Sequence, residues 1–240
     1  MEKRNTHTMN HADTEVLLKL KQEVDNCPKC HGTDLTCDCY RAYYFVFKII
    51  NARIPIKYRS FTLKDINQPA SKPIVKRISA YLNSLEDHVS KGIGLYLCGN
   101  PGTSKTVLGC IVLTEAIRKG YSCHFATVDQ YKNAIFEKDN ELLDKIRTST
   151  FLMLDDVGRE YHDAKGFLDS TLDELIRIRA DSLLPTVITT NYKAEGAINS
   201  FRFSSILKEH FITILFDTSD YRKKIQESLQ DEEKKKSKKI

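Results

Sequence analysis

The sequence predicts an α/β protein: a parallel sheet flanked by helices, preceded by a small helical module built around cysteines. Three observations predict it. From about Lys76 onward, short apolar runs suited to buried strands alternate with helical segments, the order that gives a parallel sheet covered on both faces. One strand–helix junction carries the glycine-bearing loop GNPGTSKT, residues 99–106. Four of the seven cysteines, Cys27, Cys30, Cys37 and Cys39, crowd into residues 27–39.

The elements follow in order from apolar spacing. Residues 1–12 are polar and read as disordered. Val16, Leu17, Leu20 and Val24 mark a helix over 14–24. An aromatic-rich helix covers 40–51 and ends near Ile54-Pro55, because the residue before proline is pushed out of the helical region. Residues 57–73 read as a connector. Ile74, Ile78, Tyr81, Leu82 and Leu85 mark the next helix. Strands are predicted at 93–98, 122–128, 151–154, 185–190 and 211–216. Helices are predicted at 105–118, 142–147, 167–179 and 198–209. The predicted organisation is an N-terminal helix and cysteine module over 1–53 and a connector over 54–73. An α/β domain over 74–226 and a basic tail over 227–240 complete it.

Composition narrows the class. The chain has 240 residues, 41% of them hydrophobic, enough for a sizeable core. No apolar run reaches the ~18 residues that a membrane span needs. The first residues, MEKRNTHTMNHADTE, lack the apolar centre of a signal peptide. A soluble, cytoplasmic protein is expected, with no membrane partner. The net charge of +5 is mild, and five lysines sit in the last seven residues. Such a run reads as a solvated tail, or as a weak salt-sensitive contact to nucleic acid.

The loop at 99–106 follows an apolar strand and opens a helix, which is the context of a phosphate-binding P-loop. Backbone N–H groups of Gly99, Asn100, Pro101, Gly102, Thr103 and Ser104 (Pro101 contributing only its turn) would wrap the phosphates at a helix N-terminus. There the donors are unpaired and the dipole favours anions. Lys105 would reach the β- and γ-phosphates of ATP, and Thr106 would ligate Mg²⁺. Ser104 stands where the pattern G-x-x-x-x-G-K-[ST] has glycine. That matters only if the backbone there needs a positive φ or a close approach. Two further elements follow in order. The apolar strand FLML ends in Asp155 and Asp156, Asp155 to hold Mg²⁺ through water and Asp156 to orient an attacking water. The strand TVITT ends at Asn191, placed to contact the γ-phosphate or that water.

The run from about Ile54 to Arg222 resembles the AAA+ ATPases of the DnaC/DnaI helicase-loader group, with the IstB transposition helpers as close relatives. The matching stretches are IPIKYRSFTLKDI, GLYLCGNPGTSKT, FLMLDDVG, LDELIRIRADSLLPTVITTNY and DYRKK. The resemblance implies an AAA+ core, ATPase activity, and ATP-dependent loading of a hexameric replicative helicase onto single-stranded DNA; where this chain departs from the family pattern, at Ser104 and in the arginine missing near Ile206, slow hydrolysis is expected. It also implies self-association in the helicase complex. By position, Lys105 and Thr106 match the Walker A residues, Asp155 and Asp156 the Walker B pair, and Asn191 sensor 1. Arg179 matches an arginine common before the sensor strand, and Arg222 a late Tyr-Arg motif that can serve as a sensor. Relatives often carry an S-R or D-R pair after sensor 1. This chain has Ser205-Ile206 there, so Arg202 is the nearest substitute for an arginine acting in trans. Two alternatives stand beside the loader: a transposase-helper ATPase that coats duplex DNA, and a nucleotide-switched adaptor with little hydrolysis.

CPKCHGTDLTCDC joins a C-x2-C to a tighter C-x-C. Four thiolates are the ligand set of a structural zinc site, and a similar element precedes the ATPase domain of many DnaI-like proteins. His31 is an alternative ligand, and four free thiols are the bland alternative. A redox pair is disfavoured because no βαβ context surrounds it. Cys98, Cys110 and Cys123 read as buried small hydrophobes. The aromatic run Tyr40, Tyr43, Tyr44, Phe45 and Phe47 reads either as a partner surface or as packing.

Overall fold

A computed structural model describes residues 10–66, 71–158, 167–191 and 204–216. The chain divides into two compact units, Met1–Ile54 and Pro55–Ile240.

The first unit is a pair of helices joined by the cysteine segment. Helix α1 (His11–Asp25) starts where Asn10 accepts a hydrogen bond from the Asp13 N–H at 2.8 Å, a side-chain N-cap. Residues 11 and 12 are therefore helical, against the expectation of disorder. Helix α2 (Asp38–Asn51) begins after Cys37 and ends at Ala52. Arg53 follows with φ 57, the left-handed residue that closes many helices. Leu17 and Val24 of α1 are buried, as are Ile49 and Ile50 of α2, and the two helices pack on each other.

The second unit opens with 3-10 turns at Ile56–Tyr58 and Leu63–Asp65. Helix α3 (Lys72–Asn83) follows and then α4 (Leu85–Ser90). The sequence reading runs a single helix through Leu85. The structure breaks it at Ser84, at φ −106 and ψ 26, where Asn83 and Ser84 are weak helix formers that compete with their own backbone. Strand β1 (Gly94–Gly99), helix α5 (Lys105–Arg118), strand β2 (Cys123–Thr127), helices α6 (Val128–Glu137) and α7 (Asn140–Thr148) and strand β3 (Phe151–Val157) come next. Helix α8 (Phe167–Asp181), strand β4 (Thr186–Thr190), helix α9 (Ser204–His210) and strand β5 (Phe211–Phe216) complete the described chain. No element is assigned from sequence to residues 129–141. The structure places α6 there because Thr127 and Gln130 form a capping box immediately at the strand end.

The five strands lie in the order β2-β3-β4-β1-β5, and every pairing is parallel. One face of the sheet, with Tyr96, Cys98, Leu152, Leu154, Val157 and Ile188, joins residues of α6, α7, α8 and α9 in one buried cluster. The other face receives α5. A Cβ at Gly109 would lie 2.6 Å from Met153 Cε, so glycine lets α5 sit over β3 without displacing the Met153 side chain. Along a strand, side chains alternate between faces, so Asp155, two residues on from Met153, shares the α5 face. That proximity brings the third strand's acid to the N-terminus of α5. Cys98 and Cys110 are buried as expected; Cys123, on edge strand β2, is only half-buried. Among the described residues no helix is long and apolar enough to cross a membrane.

Candidate nucleotide-binding site and cysteine cluster

The loop between β1 and α5 is set by its first glycine. Gly99 has φ 130, and a Cβ there would lie 2.3 Å from the Phe216 carbonyl oxygen. No other residue fits that position. The next residue, Asn100, donates its N–H to the same carbonyl at 3.2 Å, tying the loop to the end of β5. Thr103 Oγ1 donates to the Asn100 carbonyl at 2.8 Å. Lys105 is buried, and its ammonium donates to the Gly99 and Asn100 carbonyls at 2.8 and 2.6 Å. The lysine is thus folded onto the loop's own backbone and draws its turn together.

Ser104, the residue directly before α5, has φ 68 and ψ 17. The backbone does need the left-handed region there, so the serine that replaces glycine is strained. For a residue with a Cβ this conformation costs about 1–2 kcal/mol. Glycine would remove that cost while adding about 0.5–1 kcal/mol of chain entropy. Ser104→Gly is therefore expected to fold with wild-type or greater stability, by up to about 1.5 kcal/mol by difference. Ser104→Val, β-branched at a positive φ, is expected to lose more than about 1 kcal/mol. Thermal unfolding of the two variants checks this; a glycine variant less stable than the wild type would refute the strain.

Across from the loop, β3 carries both acids, but not as a plain strand. Leu154 pairs with Ile188 and Val157 with Thr190, so β3 holds one residue more than β4 over the same span. The extra residue is Asp156, at φ 66. This is a β-bulge, which bends the strand and re-aims a side chain. Without it, consecutive aspartates would point to opposite faces of the sheet. Asp155 Oδ1 accepts from Thr106 Oγ1 at 2.9 Å and from Thr189 Oγ1 at 2.6 Å. Asp156 donates its N–H to Thr189 Oγ1 at 2.9 Å, and its Oδ1 accepts from Asn191 Nδ2 at 2.8 Å. Burial pushes the Asp155 carboxyl above the usual aspartate value; the Thr189 and Thr106 hydroxyls pull the other way. Loop, α5, β3 and β4 thus meet through Lys105, Thr106, Asp155, Asp156 and Asn191. The sequence reading passes over Thr189, because threonine in a strand reads as an ordinary β-former.

Arg179, on α8, stands apart from this network. It is fully buried, and its guanidinium donates to five carbonyls and one hydroxyl: those of Ile146, Arg147, Ser149, Thr150 and Pro185, and Thr186 Oγ1, at 2.9–3.3 Å. Several of these are the unpaired carbonyls that end α7, which a cation satisfies well. Burial lowers its pKa from the usual arginine value, while the carbonyl dipoles favour the charged form. Ile206, where the resemblance leads one to expect an arginine, lies on α9 and is buried in the core. Arg202 and Arg222 lie outside the described residues.

In the first unit the Cys27, Cys30, Cys37 and Cys39 sulfurs lie within 4.8 Å of one another. Cys27 and Cys37 are 3.9 Å apart, and Cys30 and Cys39 3.5 Å. A tetrahedral zinc with Zn–S of about 2.3 Å requires S···S of about 3.8 Å, so the four thiols fit the ion. Local backbone makes the cluster: His31 at φ 48 and Gly32 at φ 76 turn the first pair, and Cys37 and Cys39 sit at the start of α2. The backbone N–H groups of Lys29 and Cys30 draw the Cys27 thiol down to about 6, and desolvation pushes Cys39 up to about 12. His31 is exposed and outside the group. The histidine alternative is therefore set aside, because the turn at residues 31–32 leaves the imidazole outside the sulfur cluster.

An all-parallel sheet in this order, a phosphate loop after β1 and paired acids on β3 define a P-loop ATP-binding domain of the AAA+ class. The sequence profile of the family described as IstB-like ATP binding protein matches residues 48–201; the chain belongs to that family. It is 27% identical over 150 residues to the replicative helicase loader DnaI of Bacillus subtilis (strain 168), covering 60% of this chain. The match spans 48% of that relative, about half its length. Among solved structures, the DnaC helicase loader superposes with a TM-score of 0.54 at 22% identity, over 63% of this chain and 92% of that one. DnaI does so at 0.55 and 21%, over 67% and 93%. AMPPCP-bound DnaA from Aquifex aeolicus does so at 0.53 and 21%, over 74% and 56%. These similarities establish the fold.

Proposed function

We propose that this protein is an ATP-dependent loader of a hexameric replicative helicase onto single-stranded DNA during DNA replication, with ATP acting as a conformational switch. The sequence likeness to DnaI carries the reading. The convergence of Lys105, Thr106, Asp155, Asp156 and Asn191 supports its chemistry.

The residues take these roles. The loop over 99–104 wraps the phosphates with backbone N–H groups at the α5 N-terminus. Lys105 exchanges the Gly99 and Asn100 carbonyls for the β- and γ-phosphates. Thr106 Oγ1, its proton held by Asp155, turns a lone pair toward Mg²⁺. Asp155 would hold the same ion through water, and a cation held there would supply neutralisation of charge on the transferred phosphoryl group. Asp156 orients the attacking water and is itself held by Asn191. Asn191, exposed at the end of β4, senses the γ-phosphate. Arg202 and Arg222 complete the set as the arginine acting in trans and a late sensor. The strained Ser104 and the buried Ile206 support slow turnover, in keeping with a switch. The four-cysteine unit holds one structural Zn²⁺ and engages the helicase. Residues 54–73 connect it to the ATPase domain at 74–226, and 227–240 form the basic tail.

The family match leaves a transposase helper of the IstB type as the second reading. Co-purification with candidate replicative helicases in ATP decides. The loader is expected to form a stable complex that Lys105→Ala weakens at least about tenfold, since a lost charged phosphate contact is worth about 1.5–3 kcal/mol. ATP-dependent coating of duplex DNA without helicase binding would overturn the loader reading.

A further inference from the structure

We propose that Thr189 is a positioning residue for the Mg²⁺ site, one hydroxyl that fixes both acids of β3 at once; the proposal rests on the ATP·Mg²⁺ reading above. A β-bulge sets two residues of one strand against one of its partner. Here the flanking pairs are Leu154 with Ile188 and Val157 with Thr190. The residues between them are Asp155 and Asp156 on β3 and Thr189 alone on β4. Thr189 is 3% exposed. Its single hydroxyl proton is donated to Asp155 Oδ1 at 2.6 Å. Its oxygen accepts the Asp156 N–H at 2.9 Å. A threonine hydroxyl has one donor and two acceptor sites, so this arrangement fixes the direction of both bonds.

Each bond does separate work. The first, with the matching bond from Thr106, places two donors on Oδ1. It sets the carboxylate plane and leaves Oδ2 outside both bonds, the oxygen that would face a hydrated cation. The second holds the backbone of Asp156 at φ 66, a conformation that needs outside support in a residue with a side chain. The N–H, hydroxyl and carboxylate also form a chain in which each bond polarises the next. Asp155 belongs to the cation and Asp156 to the attacking water. Thr189 therefore couples metal position to water position without touching either.

The test compares Thr189→Val, which keeps the shape and removes the hydroxyl, with Thr189→Ser, which keeps the hydroxyl. Binding of a fluorescent ATP analogue is measured in EDTA and across a Mg²⁺ titration, with turnover measured alongside on the full chain. The expected result is unchanged affinity in EDTA for Val, a Mg²⁺ half-saturation raised at least about tenfold, and restoration by Ser. If the Val chain does not fold, Thr189→Ala carries the same comparison. A folded Val or Ala variant with wild-type Mg²⁺ response overturns the proposal. So does a folded Ser variant that fails to restore that response, since the role would then be packing. A wild type whose nucleotide binding ignores Mg²⁺ overturns the site reading itself, and this proposal with it.

Discussion

Arg179→Met unfolds the second unit at a temperature roughly 6–12 °C lower than the wild type. The substitution keeps most of the side-chain volume and removes every donor. Six hydrogen bonds are then lost at once; the Pro185 carbonyl keeps the Leu152 N–H and the Thr186 hydroxyl keeps its bond to the Leu184 carbonyl. Each buried polar group left unsatisfied costs about 1–3 kcal/mol. Relief of the cost of burying a cation offsets part of this, so about 3 kcal/mol or more remains, at about 2–4 °C per kcal/mol for a chain of this size. Arg179→Lys does not rescue, because a single ammonium cannot span the fan of acceptors that a planar guanidinium reaches. Circular dichroism melts of both variants measure it. A Met variant within about 1 kcal/mol of the wild type would show that water replaces the guanidinium and that the arginine is not structural.

Removal of the proposed zinc from the cysteine cluster is expected to dismantle the first unit and spare the second. One zinc per chain is expected by elemental analysis, and none in Cys30→Ser. Structural zinc contributes about 10–16 kcal/mol to small domains that cannot fold without it. The buried apolar side chains of the first unit are few, so a module of this size has little else to hold it. Hydrogen exchange should lose protection across α1 and α2 in the Cys30→Ser variant, while the parallel sheet exchanges as in the wild type. A variant that retains zinc, or that loses it with α1 and α2 still protected, would defeat the assignment.

Much of this architecture is legible in the sequence for plain physical reasons. The buried strands are short apolar runs, and α5 spans 105–118 both as read and as found. What escaped the sequence is what distant parts of the chain decide. The carbonyls around Arg179 come from residues 146–150 and 185, which no local pattern around the arginine reveals. Helix α6 hides because its cap, Thr127, is also the last residue of a strand. The adjacent Asp155 and Asp156 read as a strand terminus, whereas strand β3 runs on to Val157 through a bulge. Ser104 shows the limit from the other side. Its identity raises the question of backbone sign, and only the fold returns the answer, φ 68.

The raised Asp155 carboxyl has a consequence for the life of the protein in solution. A carboxyl whose folded value lies above its unfolded one contributes fully to stability below the usual aspartate range. It gives that contribution up as pH rises through the folded value. At neutral pH the fold therefore carries this group as a burden, seated where we place the metal. ATP·Mg²⁺ bound there as proposed would offset the burden within its binding energy, a mass-action stabilisation of about 2.7 kcal/mol at a hundredfold excess over Kd. Resistance to unfolding would then rise with nucleotide supply, and turnover by proteases would fall.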